Sequence, residues 1–448
     1  MQAAITGDFL VLPCDLVCEV AGGSLLEAWM IQQAGLGGAT AAGVDYLGPK
    51  MGVGGEKGGR RGGLGLWFPT KGEGGAKGEE TDLLITAPLP QPLVPPPEGS
   101  IQSHMSKAVY ATTTDTLGDI TEEKSGFPIR HGLIRKHGRI RMLTNHRDAH
   151  AYFFPHWVLD FIKRNEKFDS INEDVVGWWA KASWQVGLAD KLGIHDIFDD
   201  TDDTKGGEMG SIPSDTIEDE IDLAALSTTY TSTLRPKSSN SSPVTSQSPT
   251  TSPTRTQIPP MLAYVHPSAP PTPLIRRVDT PALLLSTSLY IAALQPSNPN
   301  ATPSPYTHPS PYGTPISIAP QTTITNSDSL LGPNTTIETH AIIKATVIGA
   351  NCHIKKGARL TRCLLMDEVV VGEKTQMTGC IIGKRARVEG ACVLSECEVQ
   401  PRYVVPEGTE AKGEKFMVSG LDDIDDEEMG EGDEDGLGDG TEGSQLGW

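Results

Sequence analysis

Apolar residues recur at a fixed spacing through the last third of the chain. From Leu331 to Val405 the steps between them are six, six and five residues, and this series of three steps repeats without a gap. A six-residue unit at about 3.3 Å per residue makes one short side and one corner. Three sides close one turn of a triangular prism, and stacked turns bury a common core. The fourteen positions are Leu331, Ile337, Ile343, Ile348, Ile354, Leu360, Leu365, Val371, Met377, Ile382, Val388, Leu394, Val399 and Val405.

The residues between these positions are typical of a hexapeptide-repeat parallel β-helix. Glycine directly follows several of the apolar residues, and Thr, Ala or Cys stands four residues after many of them, which permits tight corners. The pattern predicts about four and a half turns between Leu331 and Val405, within a β-helix domain over residues 326–415. Cys363, Cys380 and Cys397 are each separated by one full repeat, and Thr346 comes one repeat before them. We interpret these cysteines as one buried column of the prism, not as metal ligands.

Shorter patterns predict an α/β domain over residues 1–198. The apolar run at residues 9–12 predicts a buried strand of a parallel sheet. Residues 24–33 follow as a helix, with Ser24 as its N-cap and Glu27 completing a capping box. Further strands are predicted at residues 65–69, 83–86 and 108–112, a hairpin with arms at 132–134 and 139–143, and helices after Pro155 and after a capping box at Ser170 and Glu173.

The composition changes at Asp199. Residues 236–320 hold 19 of the 34 prolines, and such a segment buries too little apolar area to offset its ordering entropy. We therefore predict a largely disordered Ser/Thr/Pro-rich linker over residues 199–325, interrupted by a helix at 282–294 that docks onto a folded domain. Residues 416–448 are predicted to form a disordered acidic tail.

Charge and cysteine usage exclude several classes of protein. The chain has 37 basic and 57 acidic residues, a net charge of −20, which argues against nucleic-acid binding through a general basic surface. No apolar run approaches the roughly 18 residues that span a bilayer. The seven cysteines form no CxxC pair and no Cys–His zinc spacing, and the first residues lack a signal-peptide pattern. We expect a soluble protein of the reducing cytosol or nucleus, with free thiols, no metal and no membrane contact.

Asp15 is the one candidate for cofactor chemistry. A carboxylate just after a buried strand lies where open α/β sheets bind ligands, and it could hold Mg²⁺. Asp also begins turns routinely, so the residue alone is weak support. Residues 54–65 are glycine-rich, but they do not connect a clear strand to a helix as a phosphate-binding loop does. We therefore predict no catalytic residue and no bound cofactor.

A hexapeptide prism also raises the hypothesis of an acyltransferase, for which His340 and His353 are the candidates. No loop interrupts the turns, and the two residues occupy unrelated positions in the repeat, so solvated histidines are favoured. Two further groups have structural interpretations. The basic pairs Arg60-Arg61 and Arg276-Arg277 are expected at the solvated surface, with a partner contact as the alternative, and Trp178, Trp179 and Trp184 are expected in the core.

Several segments of the chain resemble a known family. They are residues 7–17 (GDFLVLPCDLV), 61–67 (RGGLGLW), 71–73 (KGE), 274–280 (LIRRVDT) and the approach to the prism at 318–334. An α/β region followed by a hexapeptide prism resembles the sugar-nucleotide pyrophosphorylases. The local sequence is more similar to the gamma-subunit family of eukaryotic translation initiation factor 2B, over most of residues 7–200 and 258–420.

The resemblance implies a fold and a role. The fold is an incomplete Rossmann-like nucleotidyltransferase-like domain followed by a left-handed parallel β-helix, with a long disordered insert. The role is a non-catalytic, regulatory subunit of the guanine-nucleotide exchange complex that reloads translation initiation factor 2, a GTPase, with GTP. The implied partners are the epsilon subunit, which carries the exchange activity, the other subunits of the complex and the GTPase itself.

One departure from the family concerns the N-terminus. Family members begin with a strand and a glycine-rich phosphate-binding loop well before the strand at Phe9, and both are missing here, so we expect a truncated domain. The family's Asp corresponds to Asp15, which without its loop is a vestigial metal or nucleotide ligand. Two alternatives stay open: a sugar-1-phosphate nucleotidyltransferase of the mannose-1-phosphate guanylyltransferase type, and a hexapeptide acyltransferase.

Overall fold

The computed structural model describes most of the residues outside the predicted linker and tail. The described residues are 5–33, 61–89, 96–203, 258–268, 272–294 and 312–417, except residues 73, 77, 98 and 326, together with residues 306 and 310. They divide into two units, with the boundary after Leu283. The predicted acidic tail and much of the predicted linker lie outside the described residues.

A mixed six-stranded sheet forms the centre of the first unit. Its strand order is β1-β6-β3-β7-β5-β4, and β6 is long enough to pair with β4 as well. The pair β3–β7 is parallel, and the other pairs are antiparallel. A separate antiparallel pair, β2–β8, lies outside this sheet. The strands are β1 (Phe9–Val11), β2 (Leu16–Cys18), β3 (Gly63–Pro69), β4 (Asp82–Pro88), β5 (Met105–Thr113), β6 (Arg141–Phe154), β7 (Met261–Val265) and β8 (Ile275–Arg277).

The environment of β1 differs from the prediction. It is an edge strand antiparallel to β6, and Leu10 is 45% exposed. The expectation of a buried strand in a parallel sheet was wrong, because β1 has a neighbour on one side alone. Conversely, β7 and β8 come from the segment assigned to the linker, and β7 lies between β3 and β5. The short apolar segment that forms β7, with prolines on both sides, therefore completes the sheet.

Eight helices lie among the described residues, and the last of them crosses the boundary between the two units. They are α1 (Gly22–Gln33), α2 (Thr114–Lys124), α3 (His131–Lys136), α4 (Trp157–Arg164), α5 (Gly177–Ala182), α6 (Leu188–Lys191), α7 (Ile194–Asp203) and α8 (Pro281–Ala293), with a 3₁₀ turn at Ile101–His104 and a π turn at Ile171–Val176.

Three local predictions about these helices need correction. Helix α1 begins two residues before Ser24, so Ser24 is not its N-cap. The first arm of the predicted hairpin is helix α3. Ser170 does cap the π turn by accepting from the N–H groups of Glu173 and Asp174, but the carboxylate that accepts from the Ser170 N–H is that of Asp174, at 2.9 Å.

Strand β3 runs through the centre of the first unit, and all seven of its residues are buried. Alternate side chains contribute to two apolar clusters, Trp67 to one and Phe68 to the other. Trp179 packs in the first cluster, with its ring 4.7 Å from that of Trp157. Trp179 and Trp184 are buried as predicted, whereas Trp178 is 36% exposed.

The second unit is a β-helix whose three faces are six-stranded parallel sheets. The first face contains Ile316–Ile318, Thr335–Ile337, His353–Ile354, Val370–Val371, Arg387–Val388 and Val404–Val405 (β9, β12, β15, β18, β21, β24). The second contains Thr323–Ile324, Ile342–Lys344, Arg359–Thr361, Gln376–Thr378, Val393–Ser395 and Glu410–Lys412 (β10, β13, β16, β19, β22, β25). The third contains Leu330–Leu331, Val347–Ile348, Leu364–Leu365, Ile381–Ile382, Glu398–Val399 and Lys415–Phe416 (β11, β14, β17, β20, β23, β26).

The predicted register of the β-helix is confirmed. All fourteen apolar positions are at most 4% exposed and belong to one core cluster. Residues separated by one repeat are neighbours across the parallel ladders, such as Ile354 and Val371. The structure has about six turns over residues 316–416, more than the predicted four and a half. Partly buried Ile324 and Phe416 extend the core at its two ends, beyond the range in which the apolar pattern was clear.

Close approach of successive turns explains the glycines that follow the apolar positions. A Cβ atom at Gly372 would lie 2.4 Å from the carbonyl carbon of Glu389 in the next turn. At Gly349 it would lie 2.7 Å from the carbonyl carbon of Met366. Since real Cβ contacts are not this short, any side chain at these positions would push the turns apart.

Candidate functional site

Asp15 lies in the connection between β1 and β2, where the pairing of β2 with β8 places Arg277 beside it. The Nη2 and Nε atoms of Arg277 are 3.1 and 3.3 Å from Oδ2 of Asp15. Arg277 also donates to Nε2 of His150 at 3.4 Å, and burial together with the charge of Arg277 lowers the pKa of His150 to about 4. The Asp15 carboxylate is thus already paired with a cation, and its role as a metal or nucleotide ligand stays a prediction.

A network of ion pairs extends from Arg277 into the interior. Asp279 lies 3.6 Å from Arg277 and accepts from Nη2 of Arg147 at 2.5 Å. Partial burial opposes ionisation of Asp279, but the hydrogen bond and charge of Arg147 lower its pKa. Glu79 lies 3.8 Å from Arg147 and 3.5 Å from Arg276. We call these six residues the charged cluster: Asp15, Glu79, Arg147, Arg276, Arg277 and Asp279.

The deepest part of the charged cluster is almost closed to solvent. The side chains of Glu79, Arg147 and Arg276 are 2%, 5% and 4% exposed. Burial raises the pKa of Glu79, although both arginines oppose the shift. The Arg276-Arg277 pair was expected at the solvated surface, and this prediction was wrong, because each guanidinium pairs with a carboxylate contributed by an earlier strand or turn. Of the other basic pair, Arg61 binds Asp8 at 2.6 Å, and Arg60 lies outside the described residues.

Two buried carboxyl groups lie next to the charged cluster. Oδ2 of Asp82 accepts from the backbone N–H of Asp148 at 2.6 Å, and Oδ2 of Asp148 accepts from the Tyr152 hydroxyl at 2.5 Å. Burial raises the pKa of Asp82 to about 6. Burial and the nearby charge of Asp82 raise the pKa of Asp148 to about 8. Asp148 therefore holds its proton at neutral pH, where an exposed carboxyl group has lost it.

We expect Asp148→Asn to remove one source of the pH dependence of stability. Because the pKa of Asp148 is higher in the folded than in the unfolded chain, its contribution to stability is lost as pH rises toward 8. Relative to wild type, the variant should gain about 1 kcal/mol of unfolding free energy per pH unit between pH 6.5 and 8. Urea unfolding followed by tryptophan fluorescence measures this difference.

The variant must be compared with wild type at each pH, because buried histidines change the stability of the fold with pH in the opposite direction. Burial lowers the pKa of His137 and of His266 to about 4, so they stabilise the fold as pH rises toward their unfolded pKa of about 6.5. They are common to both proteins and cancel in the difference. Parallel stability curves for wild type and Asp148→Asn would contradict a protonated Asp148.

The two histidines considered for acyl transfer have different surroundings. Nε2 of His353 is 2.9 Å from Oε1 of Glu338, and both side chains are partly exposed. This hydrogen bond lowers the pKa of Glu338. His340 occupies an exposed corner with φ 62°. The structure does not bring the two histidines to one position of the repeat.

The cysteine column is confirmed as part of the β-helix interior. Cys363, Cys380 and Cys397 are 0% exposed, and each thiol lies 3.2–3.4 Å from the carbonyl oxygen two residues earlier. Thr346 makes the equivalent bond at 2.7 Å. The hydrogen bond with Cys363 and then burial raise the pKa of Cys380, so its thiol stays protonated. In the described part of the chain, no three His, Cys, Asp or Glu side chains are grouped to hold a metal ion.

Sequence reasoning identified Asp15, expected Arg276 and Arg277 in solvent, and missed Glu79, Arg147 and Asp279 together with the adjoining Asp82 and Asp148. The signal available was the position of charged residues next to apolar runs: Asp82 directly precedes the run that begins at Leu83, and Arg147 and Asp148 lie a few residues before the apolar end of β6. Such positions are rarely charged unless paired. Within the described segments, no helix has the length and apolar content needed to cross a bilayer.

Comparison with known proteins identifies relatives for part of the chain. Residues 312–410 match the family model described as the EIF2B subunit epsilon LbH domain, a left-handed β-helix. Over 95 residues the chain is 32% identical to the translation initiation factor eIF2B subunit gamma of Schizosaccharomyces pombe. That alignment covers 21% of this chain and 19% of the yeast protein, so the chain matches about a fifth of that relative's length. These matches support an eIF2B gamma- or epsilon-like protein over part of the chain, and the resemblance to the gamma-subunit family is confirmed to that extent.

Solved structures with a similar arrangement include bacterial acetyltransferase domains. The acetyltransferase domain of PglB from Neisseria gonorrhoeae FA1090 is 16% identical with a TM-score of 0.14, over 23% of this chain and 53% of that chain. The same domain in complex with acetyl coenzyme A is 14% identical with a TM-score of 0.13, over the same shares. These TM-scores support no conclusion about the activity of this chain.

Proposed function

We propose that this chain is an accessory, non-catalytic subunit of the cytosolic guanine-nucleotide exchange complex that reloads translation initiation factor 2 with GTP. The observation that carries the proposal is the match of residues 312–410 to the eIF2B epsilon LbH domain, in a region whose repeat register is complete. The chain would act by binding the epsilon subunit, the other subunits and the GTPase. It would need no cofactor and no metal of its own.

The geometry around Asp15 supports a binding role. In a nucleotidyltransferase this carboxylate would have to be available to Mg²⁺, whose ligands are oxygen atoms. Here the Arg277 guanidinium lies 3.1 Å from Oδ2 of Asp15, and Asp279 and Arg147 continue the network. A cation that entered would compete with Arg277 for the carboxylate. This arrangement favours a structural Asp15 in a domain that positions partner proteins.

Purification from cell extract tests the proposal. Tagged full-length chain should recover the epsilon subunit and initiation factor 2, and adding the chain to purified epsilon subunit should accelerate GDP release from the GTPase. The chain alone should release no GDP. Recovery of neither partner by intact, folded protein would contradict the proposal.

The same purified protein tests the two enzyme hypotheses. Release of pyrophosphate from GTP and mannose-1-phosphate, abolished by Asp15→Asn, would replace the proposal with a nucleotidyltransferase. Binding of acetyl coenzyme A in calorimetry, weakened by His353→Gln, would replace it with an acyltransferase. We expect neither reaction nor binding.

A further inference from the structure

One corner of the β-helix carries a group of positive side chains near its C-terminal end. Lys384, Arg385, Pro401 and Arg402 line a groove of about 270 Å³. Lys384 stacks below Pro401, and Arg385 below Arg402, because each pair is separated by one repeat; the N–H of Arg402 donates to the carbonyl oxygen of Lys384 at 2.9 Å. We call Lys384, Arg385 and Arg402 the basic corner.

The carboxylates close to the basic corner are fewer than its cations. Glu368, one turn earlier, lies 2.8 Å from Arg385 and 3.9 Å from Lys384. Its neighbour Asp367 accepts from the backbone N–H of Ala350 at 2.9 Å. Asp367 and Glu368 are thus two carboxylates one repeat before three cations, in a chain whose net charge is −20. A groove lined by three cations fits an anionic ligand.

The described chain ends beside this corner. Strand β26 pairs with β23, and the carbonyl oxygen of Phe416 accepts from the N–H of Gln400 at 2.9 Å. Met417 therefore lies one turn above Gln400, next to Pro401 and Arg402. Asp422 is five residues further along, a reach of at most about 18 Å. From there, residues 422–442 carry 12 acidic side chains and no basic one.

We propose that the acidic stretch at residues 422–442 binds the basic corner of the same chain. The stretch has the complementary charge, and its attachment within a few residues of the groove gives an effective concentration of about millimolar. The contact is electrostatic and partly exposed to solvent, so salt weakens it. An acidic segment of another protein could occupy the corner only by displacing the stretch, which would make the tail a competitor for such partners.

Carbodiimide cross-linking of the full-length chain tests the contact directly. This reagent joins a lysine amine to a carboxylate in contact with it, without a spacer. At low salt we expect cross-links between Lys384 and residues 422–442, about tenfold more abundant than those from Lys355 or Lys374, and lost in about 0.5 M NaCl. Lys355 and Lys374 are controls on other parts of the same β-helix; Lys374 is exposed like Lys384, whereas Lys355 is half-buried. Equal cross-linking of all three lysines, or none from Lys384, would overturn the proposal.

Binding in trans gives a second, independent measurement. In full-length protein with the 12 tail acids changed to Asn or Gln, a fluorescent peptide of residues 420–444 should bind. The same protein carrying Lys384→Gln and Arg402→Gln should bind it about tenfold more weakly, whereas Arg359→Gln with Lys374→Gln should have no effect. Circular dichroism checks that each variant is folded. Equal peptide affinity for both pairs of variants would show unspecific attraction and overturn the proposal.

Discussion

The Val388→Asp variant is expected to lose the β-helix, whereas Arg387→Asp, one residue earlier on the same strand, is expected to keep it. Val388 is 1% exposed and belongs to the continuous core, whereas Arg387 is on the outer surface. An unpaired carboxylate in that core costs several kcal/mol, comparable with the total stability of many domains, about 5–15 kcal/mol. Ile354→Asp, at a 0% exposed position, should behave in the same way.

Limited proteolysis of the full-length variants measures this effect. Cleavage within residues 331–405, identified by mass spectrometry, should appear in Val388→Asp and Ile354→Asp and be absent from Arg387→Asp. The urea midpoint of the β-sheet signal in circular dichroism should fall in the same two variants. Wild-type midpoints for Val388→Asp would mean that the apolar residues do not face inward.

The β-helix could be predicted from the sequence because its rules are local and repeated. Each turn places the same kinds of residue at the same six-residue offsets, so fourteen positions confirm one register. The glycines follow the repeat as well: Gly349 and Gly372 lie where the next turn comes too close to leave room for a Cβ atom. The first turn, residues 316–325, was assigned to the linker because residues such as Ile324 are only partly buried and continue the pattern weakly.

The first unit was harder to predict, because its pairings join distant segments. Strand β7 fits between β3 and β5, although it follows both of them at a long distance along the chain, and nothing local to Met261 shows which strands it joins. The segment with Gly132 has apolar residues that suit either a short helix or a strand, and the structure selects α3. Tertiary contacts therefore determine both the pairing of β7 and the helical conformation of α3.

The candidate site was also hard to predict from the sequence, because its residues are far apart along the chain. Asp15 was recognisable because it follows an apolar run, but its partner Arg277 is 262 residues away. The basic pair at Arg276 was expected in solvent, since paired cations usually are. The pairing of β2 with β8 instead places these arginines beside carboxylates: Glu79, which precedes β4, lies 3.5 Å from Arg276, and Asp15, between β1 and β2, lies 3.1 Å from Arg277.

Arg276→Met is expected to destabilise the first unit by about 3–5 kcal/mol, because it removes one of the two cations beside the buried Glu79 carboxylate and the side-chain donor to two carbonyl oxygens. Nη1 of Arg276 donates to the carbonyl oxygens of Pro69 and Thr70 at 2.8 and 3.2 Å and lies 3.5 Å from Glu79. In the variant, Glu79 would keep Arg147, at 3.8 Å, as its nearest cation. Exposed Arg139→Met is the control and should change stability by less than about 0.5 kcal/mol.

Tryptophan fluorescence follows this unfolding selectively, since six of the seven tryptophans lie in the first unit, and Trp448 lies outside the described residues. Glu79→Gln combined with Arg276→Met should recover part of the loss, because the uncompensated charge is then gone; the double-mutant cycle measures the coupling. If Arg276→Met unfolded at the same urea concentration as Arg139→Met, the segment that carries β8 would contribute nothing to the first unit. A loss of stability in Arg276→Met but not in Arg139→Met would show that this segment is part of the fold, although the residues around it in the sequence are those of a linker.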